Sequence, residues 1–426
     1  TGHILLNLGE GLTNESGAWV RRVSDTEVEG MKLLGTFCYN PQAVFPVYFV
    51  MRVSKRPAAT GFWKKQPPKQ GVEAEWDKDA GNYKLYTQYG KDIAGDDVGV
   101  WFSYDMQPGE QVEVRMGVSF VSAENARLNL EAEQQGRSFD DIRAAARRTW
   151  NDDLGRIRVE GGTEAQKKVF YTGLYHALIH PNVLSDVNGE YPAMESAEIR
   201  TAEGNRYTVF SLWDTYRNLH QLLTLVYPER QLEMVRSMVG MYREWGWLPK
   251  WELYGRETFT MEGDPSIPVI VDTWMKGLRD FDMDAAYEAM RKSATTPGVR
   301  NRIRPDIDPY IEKGYVPLGF YARDLSGDNS VSHAWNTISP TTRCRCWPTR
   351  SAKKTTRRCS APARSAIRTI TAPSRARSDR LPGRVSSSRP STRARARISN
   401  PSPASTKVRP GTIRSTSRTT WPDWPG

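Results

Sequence analysis

The sequence predicts a multidomain β + α protein in which an N-terminal β-sandwich precedes a helical domain built from α/α hairpins. Turn residues separate short apolar runs up to about residue 135, and helical periodicity dominates after residue 161. A change of composition at residue 335 sets the last part of the chain apart. We therefore expect a β-sandwich over 1–137, a linking helix and strand over 138–160, helices over 161–334 and a tail over 335–426.

The strands of the predicted sandwich are short apolar or alternating runs at 3–8, 44–50, 98–102 and 112–121. The Gly, Pro, Asn and Asp residues between these runs are typical of turns. Several such runs in succession, up to about residue 135, indicate a β-sandwich.

Helical periodicity begins at Ser138, which two aspartates follow in the manner of a helix start. The apolar residues of this first helix share one face: Ile142, Ala145, Ala146, Trp150 and Leu154. Further helices are predicted at 164–180, 216–225, 228–245, 268–280 and 283–293. Successive helices of this length, joined by long polar loops, favour an α/α-hairpin barrel over a parallel sheet.

The net charge of +11 is unevenly distributed along the chain. Residues 335–426 hold 21 lysines and arginines against 2 acids, a net charge of +19, whereas the rest holds 39 against 47, a net charge of −8. Only Cys38 lies in this acidic body, so neither a disulfide framework nor a zinc site is predicted. No apolar run is long enough to span a membrane. Because the chain opens at Thr1 directly into a strand-like run, we expect the natural start to lie upstream.

The basic tail has too few apolar residues to bury a core, and we expect it to be disordered. One interpretation is an arm that binds nucleic acid or another acidic surface. The other is a GC-rich coding sequence read out of frame, since Arg, Ser, Thr, Pro and Ala dominate such products. The neighbouring frame forces a glutamate just after Ala334 and permits the uninterrupted string FHEGTAWNYTFYVPHDMAGLA from Ala404 onwards. This agreement favours a frameshift after Ala334.

Seven segments resemble glycoside hydrolase family 92 mannosidases in order and spacing, and together they span most of residues 1–334. The segments are 6–18, 24–30, 35–40, 170–191, 207–225, 248–272 and 328–334. The resemblance implies a β-sandwich packed on an (α/α)6 barrel and a calcium-dependent enzyme (Ca2+). It also implies removal of terminal α-linked mannose from N-glycans or mannans, with inversion, and a periplasmic or secreted location.

An inverting glycosidase needs a carboxylic acid and a carboxylate base roughly 6.5–9.5 Å apart. The resemblance implies that the acid is the glutamate forced in the neighbouring frame after Ala334, and that the base aspartate lies beyond this chain. We therefore expect the polypeptide as written to be inactive. Its catalytic residues, calcium ligands, linkage preference and oligomeric state are not assigned.

The segment 211–217 is predicted to touch substrate through Trp213, Asp214 and Arg217. An indole stacks on a pyranose face, while a carboxylate and a guanidinium three residues apart offer an acceptor and a donor to hydroxyls. The alternative from the residues alone is that Trp213 belongs to the core and Asp214 caps the helix.

The loop after Pro249 supplies the next candidates for sugar contacts, Trp251, Glu252 and Glu257. The alternative is a solvated loop with one buried aromatic residue. The family usually has a Gly-Asn-Glu-Thr type sequence where this chain has Gly-Arg-Glu-Thr at 255–258, which leaves substrate preference open.

Three histidines are given no chemical role. His176 and His180 have a spacing that suits zinc, but no third ligand converges with them, so we expect them to be packing residues. His220 is expected to lie on a helix face rather than to act as a base.

Two other classes of protein fit parts of the sequence. A non-catalytic carbohydrate-binding protein would use a β-sandwich and surface tryptophans, but it would not need the segments 211–217 and 251–257 on a second, helical domain. A nucleic-acid-binding protein would explain the basic tail but leaves the acidic body without a role. The sequence therefore favours an enzyme whose partner is an α-mannosyl oligosaccharide or N-glycan.

Overall fold

The computed structural model describes residues 1–9, 17–35, 40, 42–65, 90–320 and 332, together with the backbone of 83–86. The chain divides into two compact units, Thr1–Ala372 and Pro373–Gly426, and every described residue belongs to the first. The predicted tail, the frameshift point after Ala334 and most of the segment 328–334 lie outside the described residues. The domain boundaries stay predictions.

The N-terminal part forms two antiparallel sheets from nine described strands. They are β1 (Gly2–Asn7), β2 (Ala18–Arg22), β3 (Glu27–Gly35), β4 (Val44–Val53), β5 (Ala59–Lys65), β6 (Tyr83–Tyr86), β7 (Asp92–Gly95), β8 (Val98–Tyr104) and β9 (Val114–Ser119). One sheet has the order β1-β8-β5-β6 and the other the order β7-β2-β3-β4-β9. In the first, Ile4 pairs with Phe102, and in the second, Gly30 pairs with both Val20 and Phe49.

A common apolar core joins the two sheets. The five-stranded sheet contributes Val20, Val28 and Phe49, and the four-stranded sheet contributes Phe62 and Phe102. Each such side chain stabilises the fold by roughly 1.5–3 kcal/mol relative to its exposed state. The predicted fold class, a β-rich N-terminal domain followed by a helical one, is confirmed.

The sequence missed α1 (Ala123–Gln134), because the prediction continued β structure to about residue 135. This helix begins at its cap Ser122 and packs Ala126 and Leu130 against Val50 on the outer face of the five-stranded sheet. The approach is so close that a Cβ at Gly117 would collide with the Ala126 carbonyl. Only a short apolar stripe faces the sheet, too weak a helical period to recognise.

The next two helices, α2 (Phe139–Leu154) and α3 (Glu164–Ala177), begin at the predicted positions with capping boxes at Ser138 and Thr163. The expected buried face of α2 is only partly correct, because Leu154 is buried but Ala146 is exposed. The cause is that α2 packs mainly on α3, where the Trp150 ring lies 4.5 Å from Tyr175.

Short strands that the sequence did not predict follow α3. They are β10 (Asn182–Val183), β11 (Glu190–Pro192), β12 (Ile199–Thr201), β13 (Tyr207–Thr208) and β14 (Phe210–Ser211), and, further along the chain, β15 (Trp251–Leu253) and β16 (Arg256–Glu257). They pair as β10-β13, β11-β12 and β14-β15-β16. Strands of two or three residues carry no readable period, which is why pattern analysis misses them.

The remaining helices form the second core. They are α4 (Leu212–Thr215), α5 (Leu219–Val226), α6 (Pro228–Trp245), α7 (Ser266–Met275), α8 (Met283–Thr295) and α9 (Ile307–Lys313), with a 3-10 turn at Gly298–Arg300. Phe210, Leu223, Met238, Ile270 and Met290 pack together in this core. The predicted helix 228–245 is confirmed, whereas the predicted helix 216–225 is wrong at its start, because the chain breaks between α4 and α5.

Candidate functional site

The three-stranded sheet β14-β15-β16 brings the two predicted site segments together. Ser211 pairs with Trp251, and Phe210 pairs with Glu252. Glu252 in turn pairs with Glu257 on the next strand. Segments 211–217 and 251–257, which are forty residues apart in sequence, therefore share one small sheet.

The first segment presents a partly exposed aromatic and charged surface. Trp213 is half-buried in α4, and Asp214 and Arg217 are exposed. The Ser211 hydroxyl donates to the Asp214 carboxylate, and the Arg217 guanidinium lies 4.6 Å from the Trp213 ring centre and 5.0 Å from that of Tyr216. Asp214 is therefore not the helix cap, a position that Ser211 occupies.

Both backbone polar groups of Trp251 make hydrogen bonds to nearby side chains. It is half-buried, its N–H donates to Glu257 Oε1 at 2.9 Å, and its carbonyl accepts from the Thr258 hydroxyl at 2.8 Å. A half-exposed indole on a fixed backbone is a surface on which a sugar ring can stack.

Glu257 is fully buried, and its carboxylate is used by the protein itself. It accepts hydrogen bonds from the backbone N–H groups of Lys250 (2.8 Å), Trp251 (2.9 Å) and Phe259 (3.0 Å). Burial raises the pKa of Glu257, against the effect of these three amides and of Lys250. Burial likewise lowers the pKa of the Lys250 ammonium, whose attraction to Glu257 opposes the change.

Glu252 is also fully buried, but only one of its two carboxylate oxygens has hydrogen-bond partners among the described residues. Its Oε1 accepts from the Thr208 hydroxyl at 2.8 Å and from the Gly255 N–H at 2.6 Å. Its Oε2 has no hydrogen-bond partner among the described residues. Burial raises the pKa of Glu252 to about 7, so that a large fraction of the carboxyl is protonated at neutral pH.

Backbone strain is concentrated at the same place. All five described non-glycine residues with a positive φ surround this sheet: Glu195 (52°), Val209 (63°), Tyr254 (49°), Phe259 (57°) and Met261 (65°). A positive φ is a particular outlier for the β-branched Val209. Each such residue costs roughly 1–3 kcal/mol, and strain of this kind gathers at functional sites.

The β-sandwich supports the strained segment from the other side. The Asn40 amide donates to the Glu257 carbonyl at 2.7 Å. Tyr254 stacks on Phe120 with ring centres 4.4 Å apart and contacts Phe45 at 4.8 Å. The position of this site therefore depends on both parts of the described chain.

The arrangement suits recognition of a polyol. Trp213 and Trp251 supply apolar ring faces, while Asp214 and Arg217 supply an acceptor and donors at an exposed rim. The two glutamates are fully buried, and both carboxylates accept hydrogen bonds from the protein itself. Among the described residues, no three Asp, Glu, His or Cys side chains converge in a way that could hold a metal ion.

The three histidines lie apart from this rim. His176 and His180 are exposed, so the prediction that they are packing residues is wrong; they project from the open side of α3 and of the turn that follows it. His220 is fully buried, with Nδ1 2.9 Å from Gln231 Oε1 and Nε2 3.1 Å from the Thr215 hydroxyl. Burial lowers the pKa of His220 to about 4, which keeps it neutral.

Sequence reasoning missed the residues that hold the site together, notably Asn40, Glu195, Thr208 and Lys250. A lysine between Pro249 and Trp251, in an otherwise apolar run, is the one local signal of a buried charged group. The other three act through contacts distant in sequence, which no local pattern reveals.

Comparison with known proteins finds two matching family models. The glycosyl hydrolase family 92 N-terminal domain matches residues 1–119, and the family's catalytic domain matches residues 125–340. A curated relative, an uncharacterised secreted glycosidase of Arthroderma benhamiae, is 28% identical over 218 residues, which are 50% of this chain and 24% of that protein.

Solved structures are similar over most of this chain. A family GH92 α-mannosidase from Bacteroides thetaiotaomicron in complex with mannoimidazole has a TM-score of 0.68 at 29% identity, over 80% of this chain and 42% of that one. A family GH92 inverting mannosidase from the same species has a TM-score of 0.63 at 26% identity, over 74% and 40%. The chain thus spans about two fifths of these structures. Within the described residues, no helix is both long and apolar enough to cross a membrane.

Proposed function

The chain belongs to glycosyl hydrolase family 92, and on that premise we propose that it forms part of an α-mannosidase that recognises terminal α-linked mannose. The substrate class is an α-mannosyl oligosaccharide or N-glycan. In support, one similar solved structure is an α-mannosidase bound to mannoimidazole, and another is named an inverting mannosidase.

The observation that carries this proposal is the pairing of Ser211 with Trp251, which joins the two candidate segments. Trp213 and Trp251 stack on the apolar faces of the sugar, and Asp214 accepts from its hydroxyls while Arg217 donates to them. Direct contacts of Glu252 and Glu257 with the sugar stay predictions, because both side chains are fully buried.

The reaction proposed for the whole protein is hydrolysis with inversion, which requires a general acid and a general base on opposite faces of the sugar. Our proposal assigns the acid to the glutamate encoded in the neighbouring frame after Ala334 and the base to an aspartate outside this chain. The polypeptide as written then binds mannosides without cleaving them.

This part of the proposal is tested at the DNA level. Re-sequencing across the codon of Ala334 is expected to find a single-base correction. The corrected full-length protein should then release mannose from α-linked disaccharides, in an EDTA-sensitive manner. If re-sequencing confirmed the present reading frame, the basic tail would be a genuine part of the product, and the assignment of the general acid to the neighbouring frame would be wrong.

Calcium dependence is a proposal that rests on family membership. A calcium site needs six to eight oxygen ligands, and no cluster of three acidic, His or Cys side chains occurs in the described ranges. The described residues therefore offer no acidic cluster for the ion, and we assign it no ligand and derive no step through it. A periplasmic or secreted location is proposed because the curated relative is named a secreted glycosidase.

Binding of methyl α-D-mannopyranoside, measured by calorimetry or saturation-transfer NMR, tests the recognition site. Trp213→Ala and Asp214→Asn should each weaken binding about tenfold or more, because each removes a ring face or a charged acceptor worth about 1.5 kcal/mol. Trp150→Ala, at another half-buried tryptophan, whose ring lies 4.5 Å from that of Tyr175, is the matched control and should leave affinity unchanged. Equal effects of Trp213→Ala and Trp150→Ala would contradict the proposal.

A further inference from the structure

We propose that Glu257 is a positioning residue, whose buried carboxylate holds Trp251 and Phe259 in the conformation that forms the candidate site. The inference rests on the proposed function in one respect, namely that Trp251 contacts the sugar. It differs from the sequence prediction in giving Glu257 no direct contact with substrate.

The first support is the geometry of the carboxylate. Oε1 accepts from the N–H groups of Trp251 at 2.9 Å and Phe259 at 3.0 Å, and Oε2 accepts from that of Lys250 at 2.8 Å. The two oxygens thus gather three backbone donors from both sides of the turn in segment 250–259. Hydrogen bonds from N–H groups to a charged acceptor are about twice as strong as neutral ones.

The second support is that Glu257 is itself fixed from two directions. Its N–H donates to Glu195 Oε1 at 2.7 Å, and its carbonyl accepts from the Asn40 amide at 2.7 Å. Asn40 belongs to the N-terminal part of the chain, so the carboxylate takes its position from the β-sandwich as well as from the helical domain. It is a fixed point rather than a mobile side chain.

The third support is strain in the residues that Glu257 holds. Phe259 has a φ of 57°, and Tyr254 in the same turn has a φ of 49°. A non-glycine residue keeps such a conformation only where its surroundings impose it. The Phe259 N–H is bound to Glu257 in this structure, so loss of the carboxylate frees the strained residue to relax.

Glutamine is a specific probe of this role. Its single carbonyl oxygen can accept from Trp251 and Phe259, but its NH2 group then faces the Lys250 N–H, donor against donor. Glu244→Gln is the matched control. The Glu244 side chain is also buried in the helical domain and accepts from a backbone amide, that of Met194 at 2.7 Å. Its other hydrogen bonds come from Tyr191 and Arg206, which lie outside segment 250–259.

The test is ¹⁹F NMR of the full chain labelled with 5-fluorotryptophan, with Trp251→Phe used to identify the Trp251 resonance. Glu257→Gln should shift or broaden that resonance and weaken methyl α-D-mannopyranoside binding at least tenfold. Glu244→Gln should leave the resonance in place, even where it lowers the midpoint of thermal unfolding equally. An unchanged Trp251 resonance in folded Glu257→Gln protein would overturn the inference.

Asn40→Ala keeps the test decisive if Glu257→Gln fails to fold, because it removes one support of Glu257 without touching the carboxylate. It should move the same resonance, by a smaller amount, and an unmoved resonance would again overturn the inference. The proposed function fails separately. If the unaltered chain does not bind the mannoside, recognition is refuted, while the fluorine signal still reports on positioning.

Discussion

Glu252 lies fully buried beside Thr208 and Gly255, and burial raises the pKa of its carboxyl to about 7. Between pH 4.5 and about 7 the folded protein holds a proton that the unfolded chain releases. Glu252 by itself should therefore make the free energy of unfolding fall as pH rises through this window, by about 3 kcal/mol. Glu252→Gln, which stays neutral, should lose most of that fall in urea unfolding at pH 5 and pH 8.

Glu198→Gln is the control for this experiment, since Glu198 is exposed and pairs with Arg200 at the surface. The free energy of unfolding of this variant should depend on pH in the same way as that of the unaltered chain. If Glu252→Gln showed the same fall in stability as Glu198→Gln, Glu252 would not be the titrating group.

Burial of His220 makes the free energy of unfolding depend on pH in the opposite direction, at lower pH. Burial lowers its pKa to about 4, so between pH 6.5 and 4 the unfolded chain binds a proton that the folded protein does not. The free energy of unfolding should fall as pH decreases through this window, by up to about 3 kcal/mol. His220→Asn should flatten this acid limb of a urea titration. His176→Asn, at an exposed histidine of α3, should leave it as steep as before, and equal slopes for the two variants would contradict the assignment.

At the scale of elements, the backbone between β13 and β14 is strained, and a glycine there would relieve the strain. Val209 has a φ of 63°, where its branched Cβ crowds the backbone. Val209→Gly should raise the free energy of unfolding by about 1 kcal/mol, the strain removed less the entropy that glycine adds to the unfolded chain.

The control is Val187→Gly, because Val187 also lies in a turn but has no positive φ. This variant should be neutral or destabilising. If both glycine variants lowered the urea midpoint, Val209 would not be strained. We also expect Val209→Gly to weaken mannoside binding, because the residue immediately precedes the strand that pairs with Trp251.

The same elements show what local sequence can and cannot predict. Capping residues at Ser138 and Thr163 and the long apolar stripe of α6 act within a few residues, and the sequence located these helices. The pairing of β14 with β15 joins strands of two and three residues across forty positions, and no periodicity encodes it. The sequence could therefore name Trp213 and Trp251 but not predict that a sheet joins their segments.

At the scale of the whole molecule, the site depends on contacts between the sandwich and the helical domain. The buried Asp186 carboxylate accepts from Ser119 (2.7 Å), Asn125 (2.8 Å) and Asn129 (2.6 Å), which fixes the loop after β10 to β9 and α1. The Asn40 bond to Glu257 spans 217 residues. Resemblance to a family could predict that the two domains pack together. It could not predict which side chains meet, because these depend on the folded geometry.

Tyr254 makes aromatic contacts between the two domains, because it stacks on Phe120 and touches Phe45. Tyr254→Ala should lower the free energy of unfolding by about 3 kcal/mol, since it leaves a cavity between the domains. Because it removes coupling as well as burial, we expect scanning calorimetry to resolve two transitions where the unaltered chain has one. Tyr171→Ala, in a half-buried tyrosine whose hydroxyl bonds Ile157 within the helical part, should lower the midpoint without splitting the transition. A single transition in Tyr254→Ala would mean that the polar contacts of Asn40 and Asp186 suffice to couple the domains.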